Sequence, residues 1–181
     1  LSTSVGDEGG FAPMIDNNEQ ALDLVVTAIK KSGFKNGKDV SICLDVAANE
    51  LYKNKKYSIH SQKFLSVEKS IIIYKKIINK YKIRSIEDPF GENDWSSWNK
   101  LMRSIKKVQI VGDDLYVTNL SRLKWGYLNN SSNSILIKLN QIGTVTETLE
   151  VIKFAQLIGY KTIISHRSGD NEDTFIADFA V

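Results

Sequence analysis

Five short apolar runs, each closing on an ionisable side chain, alternate with helical stretches along this chain, and no other feature restricts its fold as much. The runs are "VSICLDVAAN" (40–49), "IRSIEDP" (83–89), "VQIVGDD" (108–114), "SILIKLNQ" (134–141) and "KTIISHRSG" (161–169). Their apolar character is continuous rather than alternating, as expected of parallel strands covered on both faces. Between them lie amphipathic stretches with helix punctuation. One starts at Asn17 or Asn18, is expected to bury Leu22, Val25, Val26 and Ile29, and stops at Gly33. Ser66 can cap a helix to about Tyr81 that carries Ile71, Ile72, Ile77 and Ile78, and Asp94 one that carries Trp95, Trp98, Met102 and Ile105. A shorter helix is expected from near Thr118, and a Thr144–Glu147 capping box opens one that ends at Gly159.

From Glu87 to Asp113, Lys138 and His166 the strand ends recur about every 25 to 28 residues. Strand and helix in that alternation predict an α/β fold with right-handed parallel crossovers. An extra hairpin, residues 51–59 turning at Asn54 and Lys55, fills the longer first interval. No Gly-rich phosphate loop follows any strand, which favours a (β/α) barrel over a nucleotide-binding sheet. Five strands are too few to close an eight-stranded barrel. The chain opens on Leu1 and stops at Val181 within "EDTFIADFAV", which reads as a helix beginning. The expectation is an incomplete barrel, an internal piece of a longer protein.

In a parallel barrel the C-terminal strand ends converge on one mouth, where the chemistry of such folds resides. Here they bear Asp45, Glu87, Asp113, Lys138 and His166, the last followed by Arg167 and Ser168. Taken singly, an Asp at a strand end is ordinarily a cap or turn former, and Lys138 after Ile135, Leu136 and Ile137 ordinarily snorkels its charge to water. Five such positions in succession are harder to dismiss. Three carboxylates at one mouth repel each other unless a cation neutralises them. All-oxygen ligands favour Mg²⁺ or Mn²⁺, and the lack of paired Cys or His ligands argues against zinc. A lysine beside such a cation loses its proton more easily and can serve as a general base.

Composition narrows the partners. The net charge of +3 is spread over helices and loops with only four arginines, so direct nucleic-acid binding is not expected. No stretch approaches the ~20 apolar residues of a membrane span. Cys43, the single cysteine, fits a reducing compartment, and a cytoplasmic location is expected.

Six segments, "VGDEGGFAP", "LDVAANE", "SIEDPF", "VGDDLYVTN", "NSILIKLNQIGTVTET" and "SHRSGDNEDTFIADFAV", resemble the motifs of enolase, the phosphopyruvate hydratase of glycolysis, in that family's order and over essentially the whole chain. The resemblance implies that residues 1–181 are part of a C-terminal TIM-type barrel domain, without its first and last strands, the N-terminal capping domain and the C-terminal end. It implies Asp45, Glu87 and Asp113 as Mg²⁺ ligands and Lys138 as the base that removes the C2 proton of 2-phosphoglycerate. Glu8 matches the acid that assists departure of the C3 hydroxyl. His166, Arg167 and Ser168 match the substrate-binding segment, the last two at the phosphate. Asp7 and Asp114 read as supporting or turn acids. Asn49 stands where serine is more usual, and Asp170-Asn171 where Glu-Thr is. The same resemblance implies a homodimer or larger assembly for the full-length protein, with a possible further pool at the cell surface or secreted, and an isolated piece that is inactive. Two alternatives are another acid-sugar dehydratase of the superfamily and a non-catalytic partner-binding role.

Overall fold

A computed structural model describes residues 1–6, 8–60 and 63–181. Fifteen elements follow in chain order: α1 (Asn18–Lys31), β1 (Ile42–Asp45), β2 (Tyr52–Lys53), β3 (Lys56–His60), β4 (Lys63–Leu65), α2 (Val67–Tyr81), β5 (Ile83–Glu87), α3 (Trp95–Ser104), β6 (Gln109–Gly112), α4 (Leu120–Leu128), β7 (Ser134–Ile137), α5 (Leu139–Ile142), α6 (Val145–Leu157), β8 (Lys161–Ile164) and α7 (Phe175–Phe179). All five expected apolar runs form strands. They make one parallel sheet in the order β1-β5-β6-β7-β8, so each successive strand is added beside the last. Among the described residues this sheet is open, with β1 and β8 at its edges. No described helix is long and apolar enough to cross a membrane.

Alternation along the strands sends one set of side chains toward the helices and the other into the barrel interior. In β7, Ile135 and Ile137 are fully buried within the core shared with the helices, while Leu136 lines the cavity at the mouth. The helices supply their apolar faces at 3–4 residue spacing: Ile71, Tyr74, Ile77, Ile78 and Tyr81 from α2, Trp98 and Leu101 from α3, Val151 and Ala155 from α6. Each fully buried aliphatic side chain contributes roughly 1.5–3 kcal/mol relative to exposure. Two residues expected in that core are outside it. Val25 is 45% exposed and Ile72 is 65% exposed, because each lies one step around the helix from the stripe that meets the sheet.

Local punctuation explains the element ends. Asn17, Ser66, Asp94 and Thr144 each accept a backbone N–H three residues on, as N-caps do. Gly33 (φ 84°) closes α1 with paired bonds from Gly33 N to Lys30 O and from Phe34 N to Ile29 O, a Schellman ending that requires the left-handed conformation. The expected hairpin is present, with Asn54 and Lys55 both at positive φ, and β4 adds a third antiparallel strand. Tyr57 of this small sheet is fully buried; its hydroxyl donates to Asp94 and accepts from Gly91 N, which fastens the hairpin to the loop after β5. Tyr116 is similarly wedged: a Cβ on Gly112 or Gly126 would lie 2.6 Å or 2.4 Å from its ring, and its hydroxyl shares a 2.7 Å hydrogen bond with Ser132.

Candidate functional site

Parallel register brings the acidic strand ends side by side. Asp45 and Glu87 are register partners in β1 and β5, and Glu87 pairs with Val111, two residues before Asp113. Each strand then turns sharply. Ala47 (φ 45°) donates its N–H to Asp45 Oδ1 at 2.9 Å, and Asp88 (φ 39°) folds under the neighbouring strand end. The Asp88 carboxylate is almost fully buried and accepts the backbone N–H groups of Asp113 (3.0 Å) and Asp114 (2.8 Å). That contact fixes the end of β6. Asn49 ties the three loops together: its amide donates to Asp114 Oδ2 and Glu92 Oε2 and accepts from Glu92 N.

Lys138 follows β7 directly. Its Nζ lies 2.5 Å from Asp113 Oδ2, with the two side chains 18% and 9% exposed, so the ammonium does not reach out to bulk water. Asp113 Oδ1 accepts from Gln141 Nε2 at 3.0 Å. Gln141 Oε1 accepts from the Thr118 hydroxyl (2.8 Å), which itself accepts from Lys138 N (2.9 Å). Thr118 is fully buried and at φ 53°, next to Val117 at φ 44°. The helix expected from near Thr118 is present: α4 begins at Leu120 with Asn119 as its N-cap.

The N-terminal loop and the segment after β8 meet across the opening. Ser168 Oγ donates to Glu8 Oε1, and Glu8 Oε2 is 3.5 Å from His166 Nε2. His166 Nδ1 contacts Arg167 O, while the Arg167 guanidinium donates to Asn140 Oδ1 at 3.2 Å. Glu8, Asp45, Glu87, Asp113, Leu136, Lys138, Ser165, His166, Arg167 and Ser168 line one cavity of about 450 Å³. Asp7 lies outside the described residues.

The acids are held against their ordinary protonation. Burial first, then the charges of Asp45, Asp113 and Asp88, raise the Glu87 carboxyl to about 8, with Lys138 opposing. Burial raises Asp88 to about 7, and its two backbone N–H bonds counteract part of that. Asp45 is also pushed up, by burial of its carboxyl and by Asp113 and Asp114, although its backbone bond from Ala47 pulls the other way. Lys138 and Arg167 do not balance this many carboxylates. The donor set is all oxygen and short of positive charge, which fits a hard divalent cation. Ligand atoms of Glu87, Asp88 and Asp113 lie within 4.8 Å of one another and could hold a metal. Asp88 points to the β6 backbone and not into the cavity, whereas Asp45 lines it.

Sequence reasoning thus missed Asp88 as the support of Asp113, and Thr118, Gln141 and Asn49 as links between loops. The only signal available for Asp88 was its place in the "EDP" turn. Nothing local distinguishes the other three.

The profile of the family described as "Enolase, C-terminal TIM barrel domain" matches residues 1–181. The chain is 84% identical over 181 residues to the enolase of Pelagibacter ubique (strain HTCC1062), and 52% identical over 183 aligned residues to that of Natranaerobius thermophilus. Both alignments cover 100% of this chain and 43% of the relative.

Proposed function

The chain belongs to the enolase family through its C-terminal barrel domain, and from that premise we propose that it carries the dehydration site for 2-phosphoglycerate in a protein of its relatives' length. One observation carries the reading: all eight residues expected at the site, from Glu8 to Ser168, are among the ten that line one cavity. Mg²⁺ held by Asp45, Glu87 and Asp113 would supply positive charge beside the substrate carboxylate, which gains a second negative charge when its neighbouring carbon is deprotonated.

The chain's own residues account for the remaining steps. Lys138 Nζ, as the free amine, takes the C2 proton; the C2–H electron pair becomes the C2–C3 double bond; the C3–O bond breaks. Glu8, in its acid form, delivers a proton to the departing hydroxyl, which leaves as water. Base and acid act on different carbons, which accords with Lys138 following β7 and Glu8 in the N-terminal loop, beside Ser168 and His166. Arg167, Ser168 and His166 bind the substrate, with Arg167 and Ser168 directed to its phosphate. We assign the full-length protein to the cytoplasm as a homo-oligomer: the family supports both, and the single cysteine of these 181 residues accords with a reducing compartment.

The test is a chimaera in which this chain replaces the matching residues of the Pelagibacter ubique relative. Lys138→Ala should lower its dehydration rate by roughly 10²–10⁴-fold, the range for a positioned general base. Parental turnover in that variant would overturn the assignment.

A further inference from the structure

We propose that Thr118 and Gln141 are positioning residues for this site: together they fix where Lys138 and Asp113 stand relative to each other. The inference rests on the reading of Lys138 as the base. Its ground is a closed ring of contacts, Lys138 N to Thr118 Oγ1, Thr118 Oγ1 to Gln141 Oε1, Gln141 Nε2 to Asp113 Oδ1, and Lys138 Nζ to Asp113 Oδ2.

Donor logic gives that ring one direction. The backbone N–H of Lys138 can only donate, so the Thr118 hydroxyl accepts there and has its one proton left for Gln141. Gln141 Oε1 is thereby committed to Thr118, and its amide N–H groups face Asp113, an acceptor when ionised. Asp113 is held at both oxygens. Only one of those contacts depends on the Lys138 ammonium. Gln141 holds Oδ1 independently of Lys138, so the carboxylate has a second anchor.

The backbone supports the same conclusion. Val117 and Thr118 are consecutive β-branched residues at φ 44° and 53°, a conformation such side chains rarely adopt. Local strain of this kind persists where surrounding structure over-determines it, and it clusters at functional sites. Thr118 is fully buried, and its hydroxyl spans from the loop after β6 to the turn after β7. Glycine would relax the loop but has no hydroxyl to make that span.

The test uses the chimaera with Thr118→Val, Thr118→Ser, Gln141→Met and the Thr118→Val/Gln141→Met double variant. Thr118→Val and Gln141→Met should each lower kcat by roughly 10- to 100-fold, the scale of a small misplacement of reacting groups, with KM within about threefold. Thr118→Ser should recover kcat to within about threefold of the parent. The double variant should lose no more than the worse single one, since both act through one chain of contacts. In metal-free protein, amide exchange of the peptide containing Lys138 should quicken in Thr118→Val and stay at the parental rate in Thr118→Ser. Unchanged kcat in the single variants, no recovery by serine, or additive losses would each overturn the inference. Lys138→Ala separates the two readings: if it stays active the base assignment fails, and if it is dead while Thr118→Val and Gln141→Met match the parent, only the positioning role fails. Should Thr118→Val not fold, Gln141→Met and the serine variant decide the matter.

Discussion

Asp45 and Glu87 are register partners at the ends of adjacent parallel strands, so two carboxylates stand side by side while the lysine of the site is bonded to a third, Asp113. The sheet itself brings them together. Strand pairing fixes the register, and register leaves the acids no way to separate without breaking backbone bonds.

That crowding predicts how stability varies with pH without metal. Glu87 is raised from an ordinary 4.5 to about 8 and Asp88 from 3.8 to about 7 in the fold. Between the unfolded and folded values the native state binds more protons at these two groups, so their contribution to stability is greatest below about pH 4 and falls as pH rises toward about 8. Glu87→Gln should remove its share of the decline. Denaturant midpoints of the metal-free chimaera across this range check it, and an unchanged slope in Glu87→Gln would refute the assignment.

Added Mg²⁺ should reverse the trend. Protons and the cation compete for the same carboxylates, so the rise in Tm caused by saturating Mg²⁺ should be larger near pH 8 than near pH 5. Equal shifts at both values, read by thermal unfolding, would place the cation elsewhere.

Asp88→Asn keeps the size of the side chain but replaces one acceptor oxygen with a donor, leaving the N–H of Asp113 or Asp114 without its partner. An unsatisfied buried donor costs about 1–3 kcal/mol. Equilibrium unfolding should show that loss, and Mg²⁺ affinity should weaken because the β6 end that carries Asp113 is no longer held.

Gly126→Ala should destabilise the chain by about 1–3 kcal/mol, the usual penalty for overpacking. Its new Cβ would lie 2.4 Å from Tyr116, whose other side is closed by Gly112. A calorimetric Tm equal to the parent's would mean that the ring can move aside.

The strand ends were legible because buried parallel strands read as unbroken apolar runs, and Asp45, Glu87, Asp113 and Lys138 interrupt those runs where the oil stops. Helix faces were legible only to within one step around the helix: Val25 and Ile72 are apolar, yet they face away from the sheet. The four-residue α5 and the three-residue β4 are too short to show a period. The supporting residues were invisible for another reason. Asn49 finds Asp114 across 65 positions and Thr118 finds Gln141 across 23, and a polar residue whose partner lies so far along the chain looks like any loop residue.

The left-handed turn at Val117 and Thr118 sets two demands against each other. The backbone angle alone would favour glycine at position 118, where threonine is strained. Such a change would relieve the turn and, in the same step, remove the hydroxyl that links Lys138 N to Gln141. Position 118 is therefore a place where the comfort of the backbone and the wiring between two loops pull in opposite directions.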